Sequence, residues 1–139
     1  MRRPPPSPQV LSVTLATAGM IAAAGWVHLR FGPEHMMEST SFGLAFYAMG
    51  VAQIAAAAAL VATRGSTLSA RVAVVLNLGI AGLWAVSRTV GLPIGPEAWH
   101  AEAAGAADVV CTVAEVWAAV AMVLLLPRVR AGRPALVAA

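Results

Sequence analysis

Four long apolar runs, separated by short polar stretches, make up most of this chain. They cover about residues 10–29, 41–62, 70–90 and 103–126, and Pro127 ends the last run because a helix interior tolerates proline poorly. Each run is close to the roughly 20 apolar residues that an α-helix needs to cross a bilayer. The pattern predicts an all-α protein in which residues 9–127 form a domain of four transmembrane helices.

Composition supports the same fold class. Of the 139 residues, 60% are hydrophobic and 11% are charged, whereas a soluble domain has about 25% charged residues. These values exclude an ordinary soluble enzyme, and four spans leave no room for a separate soluble catalytic domain. The first run also has features of a secretory signal, with Arg2 and Arg3 before an apolar stretch. Its length favours a retained helix.

The arginines indicate the orientation of the spans. Arg30 and Arg88 lie near one side, and the other seven arginines lie near the opposite side: Arg2, Arg3, Arg64, Arg71, Arg128, Arg130 and Arg133. The positive-inside rule then makes both termini cytoplasmic. Residues 1–8 form a disordered cytoplasmic tail and residues 128–139 a second tail. The expected architecture is an antiparallel four-helix bundle in the cell membrane, a multi-pass protein whose partner is the lipid bilayer.

Other partners are less defined. The arginines do not cluster with aromatic residues, so no nucleic-acid partner is expected. Small residues should allow the helices to pack closely, at alanines 55–59 and at weak small-residue faces around Gly19, Gly79 and Gly82. Such faces are compatible with a homo-oligomer or with a larger membrane complex.

The acidic residues and histidines share the side away from the cytoplasm. They are Glu34, Glu38, Glu97, Glu102, Asp108, Glu115, His28, His35 and His100. Ionisable groups inside a membrane usually face the bundle interior and pair there. Asp108, Cys111 and Glu115 share one stripe of the fourth helix, and Arg88 is the natural counter-ion for Asp108 or Glu115. We therefore predict a buried polar network, functional or only structural, formed by Arg88, Asp108, Glu115, Asn77 and Gln53.

A metal site is the second expectation for this side. Pro33 suits the first turn of the second helix, so that His35 and Glu38 project to one side while His28 ends the preceding helix nearby. Imidazole and carboxylate ligands suit copper, iron or zinc. The predicted metal ligands are His28, His35 and Glu38, with Glu34 and His100 as further candidates.

Two alternatives stand beside this metal site. Glu34 and Glu38 can simply favour the positive end of the second helix, with His35 facing water. Haem is the less favoured cofactor, because only His28 and His100 offer an axial pair. The single Cys111 excludes an internal disulfide and any all-cysteine zinc site.

The stretch 88–96 is the most distinctive in the chain and reads Arg-Thr-Val-Gly-Leu-Pro-Ile-Gly-Pro. In this Arg-Thr-x-Gly-x-Pro-x-Gly-Pro pattern, in the acidic residues of the fourth helix and in the His/Glu-bearing first outer loop, the chain resembles a group of small four-helix membrane proteins from high-GC actinobacteria. The resemblance implies the four-helix membrane fold and no particular activity.

Three classes of function agree with these patterns. The first is a membrane protein with a polar, metal-binding site in the extracytoplasmic half of the bundle, serving metal-dependent redox chemistry or metal handling. Whether the protein is an enzyme therefore stays open. The second is a non-catalytic accessory subunit of a larger membrane complex, in which the polar residues only fix helix packing. The third is a proton or metal conduit through Glu115 and Asn77, which would need several copies of the chain.

Overall fold

The computed structural model describes residues 6–95 and 97–131, and the side chains of 6–95 and 97–126. This part of the chain forms four α-helices and no strand: α1 Pro8–Glu38, α2 Thr40–Ala62, α3 Thr67–Thr89 and α4 Ala106–Ala131. The expected all-helical, four-helix fold is confirmed. Of the two predicted tails, residues 1–5 and 132–139 lie outside the described residues. Of the described tail residues, 6 and 7 precede α1, which begins at Pro8, whereas 128–131 belong to α4, which runs to Ala131.

Serine residues begin two of the helices. The Ser7 hydroxyl accepts a hydrogen bond from the Val10 amide, and Pro8 occupies the first turn of α1, where its missing N–H costs nothing. The Ser66 hydroxyl accepts from the Ser69 amide in the same way at the start of α3. These caps define where the chain enters each helix from a turn.

The structure corrects the predicted boundary between the first two helices. The expectation was a first helix ending near Leu29 and a second one starting at Pro33. Instead Pro33 lies inside α1, which continues to Glu38, and Ser39 alone links it to α2. The helix continues past Pro33 because its last turns pack on α2, as at Gly32 and Met36. This packing compensates for the backbone hydrogen bond that proline removes. As a result His28 and His35 lie on one helix.

Small residues let α1 and α2 approach closely as an antiparallel hairpin. A Cβ added at Gly43 would lie 2.6 Å from Met36 Cα, and one added at Gly32 would lie 2.9 Å from the Tyr47 ring. Position numbers thus rise along α1 as they fall along α2, which is the signature of antiparallel packing. The faces expected at Gly19, Gly79 and Gly82 are not used in this way, because a Cβ there meets nothing within 4 Å.

The four helices form a closed ring of neighbours. α1 packs against α2 and α4, and α3 packs against the same two helices. We call the end of the bundle that holds Ser39 and the 90–105 segment the loop end. Near the opposite end, the buried apolar core includes Ile21, Leu60 and Met122, each of them fully buried. The loop end is packed less completely and contains a cavity.

The outward faces of the helices are apolar while several interior positions are polar. All four helices are long and apolar enough to cross a membrane. Leu68 and Val75 are each 72% exposed and Val110 is 70% exposed, whereas Gln53 and Asn77 have no exposed surface. Soluble proteins show the reverse distribution, so this surface suits a lipid environment.

Candidate metal centre and its cavity

A cavity of about 300 Å³ lies between the four helices near the loop end. Its walls are mostly apolar, and aromatic and aliphatic side chains from α1, α2 and α3 contribute, among them Phe31, Phe46, Met49 and Leu83. The 90–105 segment adds Leu92 and Ile94. A volume of this size lies at the lower end of the range of small-molecule pockets.

Two glycines allow the 90–105 segment to fold back over this cavity. Gly91 has φ +76°, a left-handed conformation that side chains rarely adopt, and a Cβ there would lie 2.5 Å from the His100 amide nitrogen. Gly95 has φ +95°, and a Cβ there would lie 2.4 Å from the ring of Phe42 on α2. Residues 88–95, the described part of the distinctive stretch, therefore form a compact crossover that reaches from α3 to α2.

A cluster of three possible metal ligands borders the cavity. His28 Nδ1 lies 3.9 Å from Cys111 Sγ and 4.0 Å from Glu115 Oε1, and Cys111 Sγ lies 3.8 Å from Glu115 Oε1. The three side chains belong to buried residues, and one ligand atom from each lies within 4.8 Å of the others. Cys111 and Glu115 are four residues apart, so they occupy one face of α4, opposite His28 on α1.

These separations are close to those of a metal centre. Zinc bonds of about 2.0 Å to nitrogen or oxygen and about 2.3 Å to sulfur place the ligand atoms about 3.3–3.7 Å apart. The two observed distances to sulfur, 3.8 and 3.9 Å, exceed the expected separation of about 3.5 Å by a few tenths of an ångström, and the 4.0 Å between His28 Nδ1 and Glu115 Oε1 exceeds its expected value of about 3.3 Å by about 0.7 Å. Small side-chain movements therefore suffice to bring the three atoms into coordination. His28 Nδ1 also lies 3.0 Å from the Ala24 carbonyl oxygen, and coordination through this nitrogen would replace that hydrogen bond.

Hydrogen bonds tie the cluster to α2 and α3. Gln53 Nε2 donates to Glu115 Oε1 at 2.7 Å and to Asn77 Oδ1 at 3.2 Å, and Asn77 Nδ2 donates to the Ala73 carbonyl. The remaining oxygen of this amide, Gln53 Oε1, is buried and has no hydrogen-bond partner in the described part of the chain. The amide that holds Glu115 therefore also carries a buried oxygen whose hydrogen-bonding capacity is unused among the described residues.

The charge balance of the cluster also favours a cation. Glu115 is 1% exposed and contacts the neutral groups of Gln53 and Cys111, with the His28 ring at 4.0 Å. A buried carboxylate either takes up a proton or pairs with a cation, since an isolated buried charge is costly. A metal ion bound here would supply the positive charge that a buried Glu115 carboxylate needs.

Arg88 lies in the wall of the same cavity and joins three elements. Its Nη2 donates to Asp108 Oδ2 at 2.8 Å, and its Nη1 donates to Glu102 Oε2. Of the two partners proposed for Arg88 from the sequence, it is thus Asp108 that Arg88 contacts. Asp108 also accepts from the Gly105 amide, in the first turn of α4, where a negative charge is favourable. The ion pairs hold the end of α3, the 90–105 segment and the start of α4 together.

The structure distributes the predicted metal ligands over four places. His28 joins the cluster described above. His35 Nδ1 forms a 2.9 Å hydrogen bond with Glu38 Oε2 at the exposed end of α1, and Glu34 faces Arg30 at 3.4 Å. The exposed His100 ring lies against the Ala98 carbonyl in the 90–105 segment.

The length of α1 explains why His28 does not meet His35 and Glu38. Seven residues of one helix separate the two histidines by about 10 Å along the axis. The Phe46 ring contacts both imidazoles, with centroids 5.3 Å from His28 and 3.8 Å from His35. Both imidazoles thus lie on the same face of α1 and line the cavity, His28 beside α4 and His35, whose side chain is 21% exposed, two turns nearer the loop end.

Sequence reasoning left Cys111 out of the ligand set. The sequence did place Cys111 on one stripe of α4 together with Asp108 and Glu115, and that stripe was a sign of its role. What the sequence could not supply is the pairing of that stripe with His28, which depends on how α1 and α4 are rotated against each other. Gln53 was placed in the polar network, but its orphaned oxygen is visible only in the structure.

Comparisons of this chain with protein-family models, with curated proteins and with solved structures gave no match. Function is therefore inferred from the arrangement of the side chains. That arrangement is a nitrogen, a sulfur and an oxygen ligand at the edge of a cavity, with a further buried oxygen beside them.

Proposed function

We propose that this protein is a multi-pass membrane protein that binds one transition-metal ion, in the first place Zn²⁺, at His28, Cys111 and Glu115. The observation that carries the proposal is the convergence of three buried ligand atoms within 4.8 Å of one another. Thiolate and imidazole ligands favour zinc, copper or iron over magnesium and calcium, which prefer all-oxygen sites. The fourth position is open to the cavity, and Gln53 Oε1 is the neutral protein atom proposed to occupy it when no other ligand is bound.

The membrane setting is supported by the surface of the bundle and by the arginines. Large apolar side chains cover the outside of four helices that are long enough to span a bilayer. By the positive-inside rule both termini and the α2–α3 turn lie in the cytoplasm. The loop end, with its cavity and metal centre, then lies in the extracytoplasmic half of the membrane.

A centre of this kind suits metal handling or metal-dependent chemistry better than a purely structural role. Structural zinc sites are closed by four protein ligands, whereas working sites keep a position for a water or a substrate. His28, Cys111 and Glu115 all line the cavity, so a small molecule can reach the metal. Gln53, as a neutral amide, is the ligand most easily displaced.

We further propose that the chain belongs with the small four-helix membrane proteins of high-GC actinobacteria that share its 88–96 pattern. Three residues of that pattern have a structural role in the connection between α3 and α4. Arg88 forms the ion pairs that join α3 to α4, and Gly91 and Gly95 adopt positive φ angles and closely approach His100 and Phe42. A chain with the same pattern can form the same crossover.

Elemental analysis of the protein purified without chelators tests the metal site. We expect about one equivalent of transition metal per chain in the wild type and in the His35→Ala and Glu38→Gln controls, which alter a histidine and a carboxylate outside the cluster. Cys111→Ala and Glu115→Gln should lose the metal. Glu115→Gln keeps the size of the side chain, and circular dichroism of each variant separates loss of metal from loss of fold.

Substitution with Co²⁺ gives a second readout. A thiolate ligand produces a sulfur-to-cobalt charge-transfer band, which should be present in the wild type and absent in Cys111→Ala. Metal content that is unchanged in Cys111→Ala, or absent from the wild type after reconstitution with Zn²⁺, would refute the proposal. The polar cluster would then have the packing role of an accessory subunit.

A further inference from the structure

Two side chains in the wall of the cavity each carry a buried hydrogen-bond donor that lacks an acceptor in the described part of the chain. Trp84 Nε1 and Arg88 Nε are both shielded from solvent, and neither has a hydrogen-bond partner among the described residues. Both side chains line the cavity, and they are four residues apart on α3, so they occupy the same face of that helix. Buried donors without partners are rare in folded proteins because each has lost its hydrogen bond to water and gained none in exchange.

We infer that the cavity binds a neutral, lipid-soluble molecule with a carbonyl oxygen, such as a quinone, and that Trp84 and Arg88 donate hydrogen bonds to it. The inference deepens the proposed function and rests on it, since the membrane setting is what delivers a lipid-soluble molecule to this cavity. Two donors without an acceptor select an acceptor atom on the ligand. The apolar remainder of the wall selects a hydrophobic body for it.

The charges around Arg88 favour an uncharged acceptor. The guanidinium already pairs with two carboxylates, Glu102 and Asp108. One positive charge between two negative ones leaves this part of the wall with a net negative charge, which repels a carboxylate or phosphate ligand. A carbonyl oxygen can accept from the Arg88 Nε–H without introducing a further negative charge.

Aromatic side chains in the cavity suit a flat ring system. Phe31, Phe42 and Phe46 line it from α1 and α2, opposite Trp84. Aromatic rings pack well against one another in stacked or edge-to-face arrangements. A conjugated cyclic carbonyl compound therefore matches both the donors and the walls of the cavity better than a saturated ketone does.

Binding of 2,3-dimethyl-1,4-naphthoquinone to the full-length protein in nanodiscs tests the inference. Its quinone ring is fully substituted, which hinders addition of the Cys111 thiol. Saturable binding is measured by equilibrium dialysis against empty nanodiscs, with 2,3-dimethylnaphthalene as the hydrocarbon control and 2-naphthoate as the anionic control. We expect the quinone to bind at least tenfold more tightly than either control.

Trp84→Phe removes the indole N–H and keeps an aromatic ring. It should weaken quinone binding about three- to tenfold, the effect of one hydrogen bond, while Trp117→Phe, on the exposed face of α4, should leave it unchanged. Equal affinity for the quinone and the hydrocarbon, tighter binding of 2-naphthoate, or full affinity in Trp84→Phe would overturn the inference.

Metal content measured on the same samples separates this inference from the proposed function. Trp84→Phe should keep its metal and Cys111→Ala should lose it. A wild type that holds metal but binds no quinone contradicts only the ligand inference. A wild type that binds the quinone through Trp84 but holds no metal contradicts the metal site and leaves the ligand site standing.

Discussion

Gly25 and Gly50 bring the backbones of α1 and α2 into direct contact. A Cβ added at Gly50 would lie 2.7 Å from the Gly25 carbonyl oxygen, and one added at Gly25 would lie 2.8 Å from the Gly50 carbonyl oxygen. Gln53 is one turn further along α2, at 0% exposure. The close crossing thus fixes the position of the side chain that supports Glu115.

Gly50→Ala should destabilise the protein because the added methyl group meets backbone atoms that cannot move aside. We expect a loss of about 1–3 kcal/mol in the free energy of unfolding, as for other overpacked sites. Gly79→Ala is the matched control, since nothing lies within 4 Å of its Cβ and alanine is the better helix former. Thermal unfolding in detergent, followed by circular dichroism, compares the two, and equal melting temperatures would contradict the crossing.

Arg88→Ala should destabilise the protein much more than Arg30→Ala. The Arg88 side chain is 14% exposed, but its partners Glu102 and Asp108 are 36% and 30% exposed, so loss of the arginine should cost about 1–2 kcal/mol, less than for a fully buried pair. The Arg30 side chain is 63% exposed, and its pair with Glu34 contributes about 0.5 kcal/mol or less. Thermal unfolding of both variants provides the comparison. A similar decrease in both would argue against the Arg88 network.

Bound metal should raise the thermal stability of the wild type. A ligand present at 100 times its dissociation constant stabilises the folded state by about 2.7 kcal/mol if it does not bind the unfolded chain. Addition of Zn²⁺ to chelator-treated protein should therefore raise the melting temperature, and a chelator should reverse the rise. Glu115→Gln should melt at the same temperature with and without Zn²⁺. A zinc response that survives in Glu115→Gln would place the metal elsewhere.

Single cysteines report the orientation of the bundle. In a Cys111→Ala background, cysteine at Gln9 or Ser66 should be protected from a membrane-impermeant thiol reagent in intact cells, because both positions lie at the cytoplasmic end. Cysteine at Glu97, which is exposed at the loop end, should be labelled. Permeabilised cells provide the control for reactivity. Labelling of position 66 but not 97 in intact cells would reverse the orientation.

The number of helices could be read from the sequence, and the partner of Arg88 could be narrowed to Asp108 or Glu115, because both follow from strong local signals; Glu102, its second partner in the structure, was not among the candidates. Apolar runs of membrane length predict helices, and an arginine inside one of them calls for an acid nearby. The end of α1 could not be read this way. Pro33 is typical of a helix start, and only the packing of α1 on α2 shows that it lies within a continuing helix.

The membership of the metal cluster depended on that same boundary. A helix ending at His28 would allow its ring to turn towards His35, whereas a continuing helix fixes it on the inner face beside α4. Cys111 then becomes its neighbour at 3.9 Å. The acidic stripe on α4 indicated which face of that helix is polar, but not which helix it meets.

The cluster joins the first helix of the chain to the last. His28 and Cys111 are 83 residues apart in sequence, while Ser39 alone connects α1 to α2. At a synthesis rate of about 5–20 residues per second, the hairpin of α1 and α2 leaves the ribosome about 2–10 s before Cys111 does. During that interval His28 has neither Cys111 nor Glu115 beside it, so the proposed metal site can form only after α4 has inserted. On the proposed function, the metal content of a preparation therefore reports the fraction of molecules that completed their insertion.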